Sequence, residues 1–228
     1  MTEGLTDHYR SPADLPEILP LFPLRGAILL PRAALTLNVF EPRYLELVEY
    51  ALRHDRVLGI VQPDPEAGDT ESPSGNSFPL RSVGCAGRLT AFSELEDQRM
   101  LITLTGIARF TVDEINSDFS FRLCRPDFGA FKDDFHAGHG EEEVDRPELI
   151  ATLRHYLEAN QLHADWDRIN SASTERLVNT LSILSPYGPE EKQALLEAPD
   201  LKARAEALVA LAEIELATWD DDTGTSLQ

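Results

Sequence analysis

Between about residues 18 and 128 the chain reads as strands. Leu35, Leu37 and Val39 alternate with Thr36 and Asn38, the period-2 pattern of a half-buried strand. Residues 57–62 (VLGIVQ) form a short apolar run suited to a central strand. Val83, Cys85, Leu89 and Ala91 fall on one face of the next run. The clearest signal follows: Met100, Ile102, Leu104, Ala108, Phe110 and Val112 share one parity, and Thr103, Thr105, Arg109 and Thr111 the other. The polar stretch 93–99 between these two runs predicts a hairpin loop. Phe119, Phe121 and Leu123 alternate with Ser120, Arg122 and Cys124, predicting one more strand. Glycines at 84, 87 and 106 interrupt the strand patterns, which predicts bulges or close backbone approach, as a bent sheet requires.

One helix interrupts the strands. In residues 42–54, Tyr44, Leu45, Val48, Ala51 and Leu52 recur at helical spacing, with Pro42 in the first turn. Residues 63–79, rich in Pro, Gly, Ser and acids, read as a flexible loop. Residues 1–13 read as a loose polar arm. Composition changes near residue 130: segment 132–145 holds six acids and one lysine, and reads as a solvated linker. Helical patterns follow. Pro147 opens the first, Ser173 caps the second, Pro186 ends it, Pro189 starts the third and Asp200 caps the fourth. The predicted division is a β-rich part at 14–130, an acidic linker at 131–145, a helical bundle at 146–219 and a disordered tail at 220–228. Strands followed by helices, rather than alternating with them, predict an α+β fold.

Composition narrows the function. Of 228 residues, 42% are hydrophobic, enough for a real core. Forty acids against 20 bases give a charge of −20, which repels nucleic acid and anionic lipid alike. Two cysteines, Cys85 and Cys124, supply neither a disulfide framework nor a zinc site, and fit a reducing compartment. No basic segment followed by an apolar core marks the N-terminus, and no apolar run approaches a membrane span. The expectation is a cytoplasmic protein with no membrane partner.

The chemistry-bearing motifs are mostly missing. None of the three lysines, Lys132, Lys192 and Lys202, follows a glycine, so no phosphate-cradling G-x-x-x-x-G-K-[ST] loop exists. There is no G-x-S-x-G elbow and no H-E-x-x-H. A serine–lysine dyad needs a lysine whose charge burial suppresses. All three lysines lie among acids, a setting read here as stabilising the ammonium. His136 and His139, beside Asp133, Asp134 and Glu141–Glu143, could ligate a divalent cation, yet ordering a Gly-rich segment opposes it. No catalytic residue, metal or cofactor is therefore expected. Arg109, on the polar parity of an apolar strand, suggests an ion pair with Glu41 that holds helix to sheet.

The order of these pieces resembles the N-terminal domain family of Lon proteases. Residues 19–52 are similar to its opening, with Pro20, Leu21, Phe22, Pro23, Leu24, Pro31, Leu37, Phe40, Glu41, Arg43 and Tyr44 at matching positions. Residues 83–115 are similar to its G-x-x-G and L-x-G-x-x-R-F block through Gly84, Gly87, Gly106, Arg109 and Phe110. Residues 185–208 resemble its C-terminal helices. The resemblance implies a PUA-like β pseudo-barrel followed by a helical bundle. It implies structural roles for Glu41, Arg43, Tyr44, Gly84, Gly87, Gly106, Arg109 and Phe110. It also implies a substrate-recognition module without the ATPase and protease modules of full-length Lon.

The expected function is non-catalytic binding of unfolded or client polypeptides in protein quality control or proteolysis, with a separate ATPase or protease as a candidate partner. A bent sheet with an uncovered edge can grip extended chains by strand addition. Phe92, off the main core parity, and Phe128 and Phe131, near the domain junction, are the candidate peptide-binding residues. The alternative is an RNA-binding PUA-like protein, which would need a basic face built from Arg81, Arg88, Arg99, Arg109, Arg122 and Arg125.

Overall fold

The computed structural model describes residues 6–64 and 78–224. The chain separates into two compact units, Met1–Ala137 with Ile183–Glu197, and Gly138–Ser182 with Ala198–Gln228. The first holds strands β1 (Leu19–Pro23), β2 (Ala34–Val39), β3 (Val57–Pro63), β4 (Leu80–Glu94), β5 (Met100–Ile115) and β6 (Arg122–Asp127). Helix α1 (Pro42–Arg53) lies between β2 and β3, with Pro42 in its first turn as predicted.

The six strands form one mixed sheet, and the fold is α+β. Strand β5 pairs antiparallel with β4, β4 with β3 and β1 with β6, while β3 and β1 run parallel. The far half of β5 then pairs with β6, so these five strands close a circuit. The near half of β5 pairs instead with β2, which lies outside the circuit.

Closing a circuit bends strands, and glycine permits it. The β4–β5 register shifts between Ala86 and Gly87, and again between Leu89 and Ala91. A Cβ on Gly87 would sit 2.4 Å from Leu29 Cδ2, and one on Gly106 only 2.0 Å from the Leu30 carbonyl oxygen. At Gly84 it would meet Ile60 O at 2.7 Å and the Phe110 ring at 3.1 Å. The glycines thus serve close packing, and Gly87 also sits at a register shift, so both roles their positions suggest are present.

Phe110 is fully buried in a core with Leu19, Leu21, Val61, Ala108, Cys124 and Phe128. Tyr9 and Leu15 join this core. Residues 6–15 are therefore docked, and the loose arm expected over residues 1–13 is corrected for this stretch. Asp14 Oδ2 fixes the arm by accepting from the backbone N–H of Arg10 and Ser11 at 2.9 Å each. The strand expected from Phe119 begins only at Arg122. Phe119 and Phe121 instead stack on each other at 4.8 Å, beside Tyr50 of α1.

The outer edge of β5 changes partner midway, and the change leaves donors to satisfy. Pairing with β2 ends at Thr105, and pairing with β6 begins at Thr111. Between them, Gly106 N–H donates to Ala33 O at 2.9 Å, and Arg109 N–H donates to Asp134 Oδ2 at 2.9 Å. The same carboxylate takes the Arg109 guanidinium through Nε to Oδ2 and Nη2 to Oδ1, both 2.9 Å. Arg109 Nη1 donates to Leu196 O at 3.1 Å, and its guanidinium lies 4.5 Å from the Phe131 ring centre. The Glu41–Arg109 pair expected from sequence does not form: Glu41 pairs with Arg43 at 2.9 Å. Arg109 finds its acid 25 residues downstream because a 3-10 segment, Gly129–Phe135, covers β5. Ile107 and Arg109 are both buried here, so both parities are inside over Gly106–Phe110.

The segment expected to be a solvated linker at 131–145 is thus largely structured, with a second 3-10 turn at Glu141–Glu143. The remaining helices are α2 (Arg146–Ala159), α3 (Trp166–Ser171), α4 (Thr174–Leu184), α5 (Pro189–Glu197) and α6 (Leu201–Gly224). Asp145, Asp165, Ser173 and Asp200 accept from backbone N–H groups at the starts of α2, α3, α4 and α6. The tail expected from residue 220 is helical as far as Gly224. Helix α5 belongs to the β-rich unit, not to the bundle that the sequence assigns it to. Gln62 Nε2 donates to Pro189 O at 2.8 Å and to Gln193 Oε1 at 3.0 Å, while Arg81 pairs with Glu190.

Asp134→Ala strands the buried Arg109 charge, so it should cost about 3–5 kcal/mol in urea denaturation, and the double variant Arg109→Leu, Asp134→Ala should cost less than Asp134→Ala alone. A loss below about 1 kcal/mol for Asp134→Ala would contradict this reading of the pair.

Candidate functional site

Beyond the strand circuit, β2, the near half of β5 and the end of β4 form a three-stranded blade. Its register aligns rows of side chains. Leu35, Leu104 and Leu89 form one row, Leu37, Ile102 and Phe92 the next, and Val39, Met100 and Glu94 the last. Directly opposed residues share a face, so these three rows are one apolar face. Cover over this face is uneven: Leu104, Ile102, Leu89 and Val39 are buried, Leu35, Leu37 and Met100 are half-buried, and Phe92 is 49% exposed. Phe40, directly after β2, is 64% exposed.

The opposite face is polar and knitted. Thr36 and Thr103 hydroxyls lie 3.2 Å apart, and Thr90 and Thr105 hydroxyls 3.1 Å apart. Both edges of the blade lack a strand partner among the described residues: β2 pairs only with β5, and β3 leaves β4 at Arg88. Exposed edges are usually blunted by charge or proline. Strand β2, ALTLNV, carries neither. An apolar face beside an unblunted edge can accept an extended peptide by main-chain hydrogen bonds and side-chain burial together.

Of the three sequence-predicted peptide-binding residues, only Phe92 lies on this blade. Phe128 is buried, its ring 6.0 Å from Phe110 and 5.6 Å from Phe135. Phe131 is half-buried under the Arg109 guanidinium. Phe128 belongs to the core in this structure, which corrects its selection as a gripping residue. Sequence reasoning missed Leu35, Leu37 and Met100, because their strand periodicity is that of a core face. What distinguishes them is that the face extends past its cover.

The motif residues anchor elements. Tyr44 is buried, donates its hydroxyl to Pro23 O at 3.3 Å and packs on Phe22 at 4.3 Å. Burial pushes its phenol up. Four arginines of the RNA reading are engaged by acids: Arg81 by Asp64 and Glu190, Arg99 by Asp97, Arg109 by Asp134 and Arg122 by Glu114. Arg88 donates to the Tyr9 hydroxyl at 2.9 Å. In the histidine-rich segment, Asp134 serves Arg109 and Glu141 accepts from Glu175 N–H at 2.8 Å. Among the described residues no three His, Cys, Asp or Glu side chains converge as a metal site, and no helix is long and apolar enough to cross a membrane.

Lys192 departs from its expected setting. It is 4% exposed rather than solvated among acids, and its ammonium donates to the Ile183 carbonyl. Burial pulls its pKa down from 10.5 to about 8. Cys124 moves the other way: burial, then Glu114 and Asp113, push its thiol up to about 12. A thiol so held is a poor nucleophile.

With this geometry established, comparison with known proteins is direct. Residues 18–213 match the family model described as the ATP-dependent protease La (LON) substrate-binding domain, and the chain belongs to that family. It is 28% identical over 207 residues to Lon protease 2 of Myxococcus xanthus, covering 87% of this chain and 24% of that protein. It is 24% identical over 218 residues to Lon protease 2 of Thermus thermophilus, covering 89% and 25%. The chain thus spans about a quarter of the length of these relatives. Among solved structures, it shares its fold with a Lon N-terminal domain protein from Xanthomonas campestris, with a TM-score of 0.54 at 24% identity over 85% of this chain and 97% of that one. The N-terminal domain of Mycobacterium avium complex Lon protease gives a TM-score of 0.59 at 14% identity over 86% and 98%.

The depressed Lys192 pKa has a measurable consequence. The folded protein releases this proton near 8 and the unfolded chain near 10.5, so the burial penalty is full below about 8 and fades toward 10.5. Wild-type stability should therefore rise by roughly 2 kcal/mol relative to Lys192→Met across that window, followed by urea midpoints at stepped pH. Parallel profiles for the two proteins would contradict the buried-ammonium assignment.

Proposed function

We propose that this protein is a non-catalytic polypeptide-recognition module, and that it grips extended, apolar segments of unfolded clients on the β2–β5–β4 blade. The observation that carries this reading is the row Leu37–Ile102–Phe92, which runs from a half-buried to an exposed side chain beside an unblunted edge strand. Membership of a substrate-binding domain family supports it. So does the sequence, which offers no phosphate-binding loop for ATP. The reading assigns the protein a place in protein quality control, handing clients to an ATPase or protease. The net charge of −20, with Glu94, Glu96 and Asp97 at the blade tip, favours clients with basic residues flanking their apolar segment.

Burying an exposed Phe is worth about 1.5–3 kcal/mol, so Phe92→Ser should weaken binding of a fluorescently labelled, permanently unfolded polypeptide by about tenfold or more in anisotropy titrations. Leu162→Ser, which removes an exposed leucine elsewhere, should leave affinity unchanged. Neither variant should shift the thermal midpoint appreciably, and the bound client should stay uncleaved with or without ATP. Equal losses from both variants, or client cleavage, would overturn the proposal.

A further inference from the structure

The outer edge of β2 offers main-chain groups in a fixed alternation. Backbone N–H and C=O groups turn to opposite sides at successive residues of a strand, so only every second residue of an edge strand is open to a partner. The phase is set where β2 begins. Gly106 N–H donates to Ala33 O at 2.9 Å, so Ala33 turns its carbonyl toward β5. Ala33 and Gly106 continue the register in which Ala34 opposes Thr105 and Val39 opposes Met100. Leu35, Leu37 and Val39 therefore direct their main-chain groups to β5, and Ala34, Thr36 and Asn38 turn theirs outward. Two side-chain contacts agree. Thr36 and Thr103 oppose each other with hydroxyls 3.2 Å apart, as the closer, non-hydrogen-bonded pairs of an antiparallel ladder allow. Thr103 O accepts from Thr90 Oγ1 of β4 at 3.2 Å, so it points away from β2. Among the described residues, no turn, side chain or further strand takes the outward groups of Ala34, Thr36 and Asn38, and all three residues are exposed.

The other edge of the blade is less open. Leu89 N–H already donates to Arg56 O at 2.7 Å. The β4 register shifts between Leu89 and Ala91, and such a bulge blunts an edge. Charge then gives a direction along β2. Glu94, Glu96 and Asp97 lie toward and past its Val39 end, where the hairpin tip has one base, Arg99, and Asp97 engages it. An added strand with basic residues beyond that end meets complementary charge.

We propose that β2 takes a client segment as an antiparallel fourth strand of the blade, in one parity. Polar residues of the segment bond through their main chain to Ala34, Thr36 and Asn38, apolar residues between them lie beside Leu35 and Leu37, and basic residues sit at the segment's N-terminal end. This rests on the reading of the blade as the client-binding surface, and it narrows the client to an alternation of apolar and polar residues. The two apolar side chains extend the rows Leu35–Leu104–Leu89 and Leu37–Ile102–Phe92 by one position each. A segment apolar at every position would place half its side chains beside Thr36 and Thr103 on the polar face.

The test leaves the protein unaltered and edits the peptide backbone. The probe is the acetylated, amidated and fluorescently labelled heptapeptide Lys-Lys-Thr-Ile-Thr-Ile-Thr, titrated by anisotropy against the full chain. N-methylation of its central threonine removes the N–H that donates to Thr36 O, and should weaken binding by about tenfold or more. N-methylation of either isoleucine, whose N–H faces solvent, should change affinity by less than about twofold. Moving the lysine pair to the C-terminal end should weaken binding at low salt, and roughly 0.5 M salt should remove the difference. Exchange of the Thr36 and Asn38 amides should slow with the probe bound. The unfolded polypeptide, titrated alongside, separates this proposal from the reading it rests on. If Phe92→Ser weakens the polypeptide while all three methylated probes lose affinity equally, the blade stands and strand addition on β2 falls. If Phe92→Ser leaves the polypeptide unaffected, the blade reading falls and takes the proposal with it. No binding up to about 1 mM probe, an equal or better fit of the C-terminal lysine peptide at low salt, or a dimer in sedimentation whose Thr36 and Asn38 amides are already slow would also overturn the proposal.

Discussion

Everything distinctive in the β-rich unit follows from one constraint on β5: its outer edge serves two different strands. An antiparallel strand cannot change partner without exposing backbone donors at the change. Here the exposed N–H belongs to Arg109, and Asp134 closes the gap by binding that N–H and the guanidinium of the same residue. Such a pair is costly to desolvate, and it endures because every part of it is satisfied at once. The backbone N–H and both carboxylate oxygens are used, and Nη1 of the arginine meets the last turn of α5 at Leu196 O.

Once β5 is divided in this way, its two halves have different fates. The far half closes the circuit with β6, and the stretch leading into it, Gly106–Phe110, is buried on both faces. The near half, with β2 and β4, extends beyond the circuit and keeps an apolar face only partly covered. Packing and function therefore share one strand. Gly106, near the changeover, lets the Leu30 carbonyl approach where any side chain would collide. The same changeover places Arg32 N–H on Gly106 O at 2.9 Å.

Much of this architecture was legible in the sequence, and the parts that were not share a physical cause. Strand parity on β5, the Pro42 start of α1 and the Ser173 and Asp200 caps are local, and they are where the pattern places them. Partner choice is not local. Arg109 was visibly a charge on an apolar strand, but Asp134 lay in what read as a solvated acidic linker. Helix α5 has the pattern of any amphipathic helix, and nothing in that pattern says it docks on Gln62 and Arg81 rather than on its sequence neighbours. Lys192 likewise looked solvated because acids flank it in sequence, whereas in the fold it is buried. For the candidate site, Phe92 was readable because it departs from the core parity. Leu35, Leu37 and Met100 were not, because a strand's alternation does not reveal where its covering layer ends.

The most direct test of this account is hydrogen exchange of the backbone amides with and without a bound unfolded client. Strand addition on the blade predicts new protection concentrated in Ala34–Val39 and the end of β4 near Phe92, with amides around Arg109 already slow in both states. Protection that appears only outside β2, β4 and β5, with the blade amides unchanged, would contradict it.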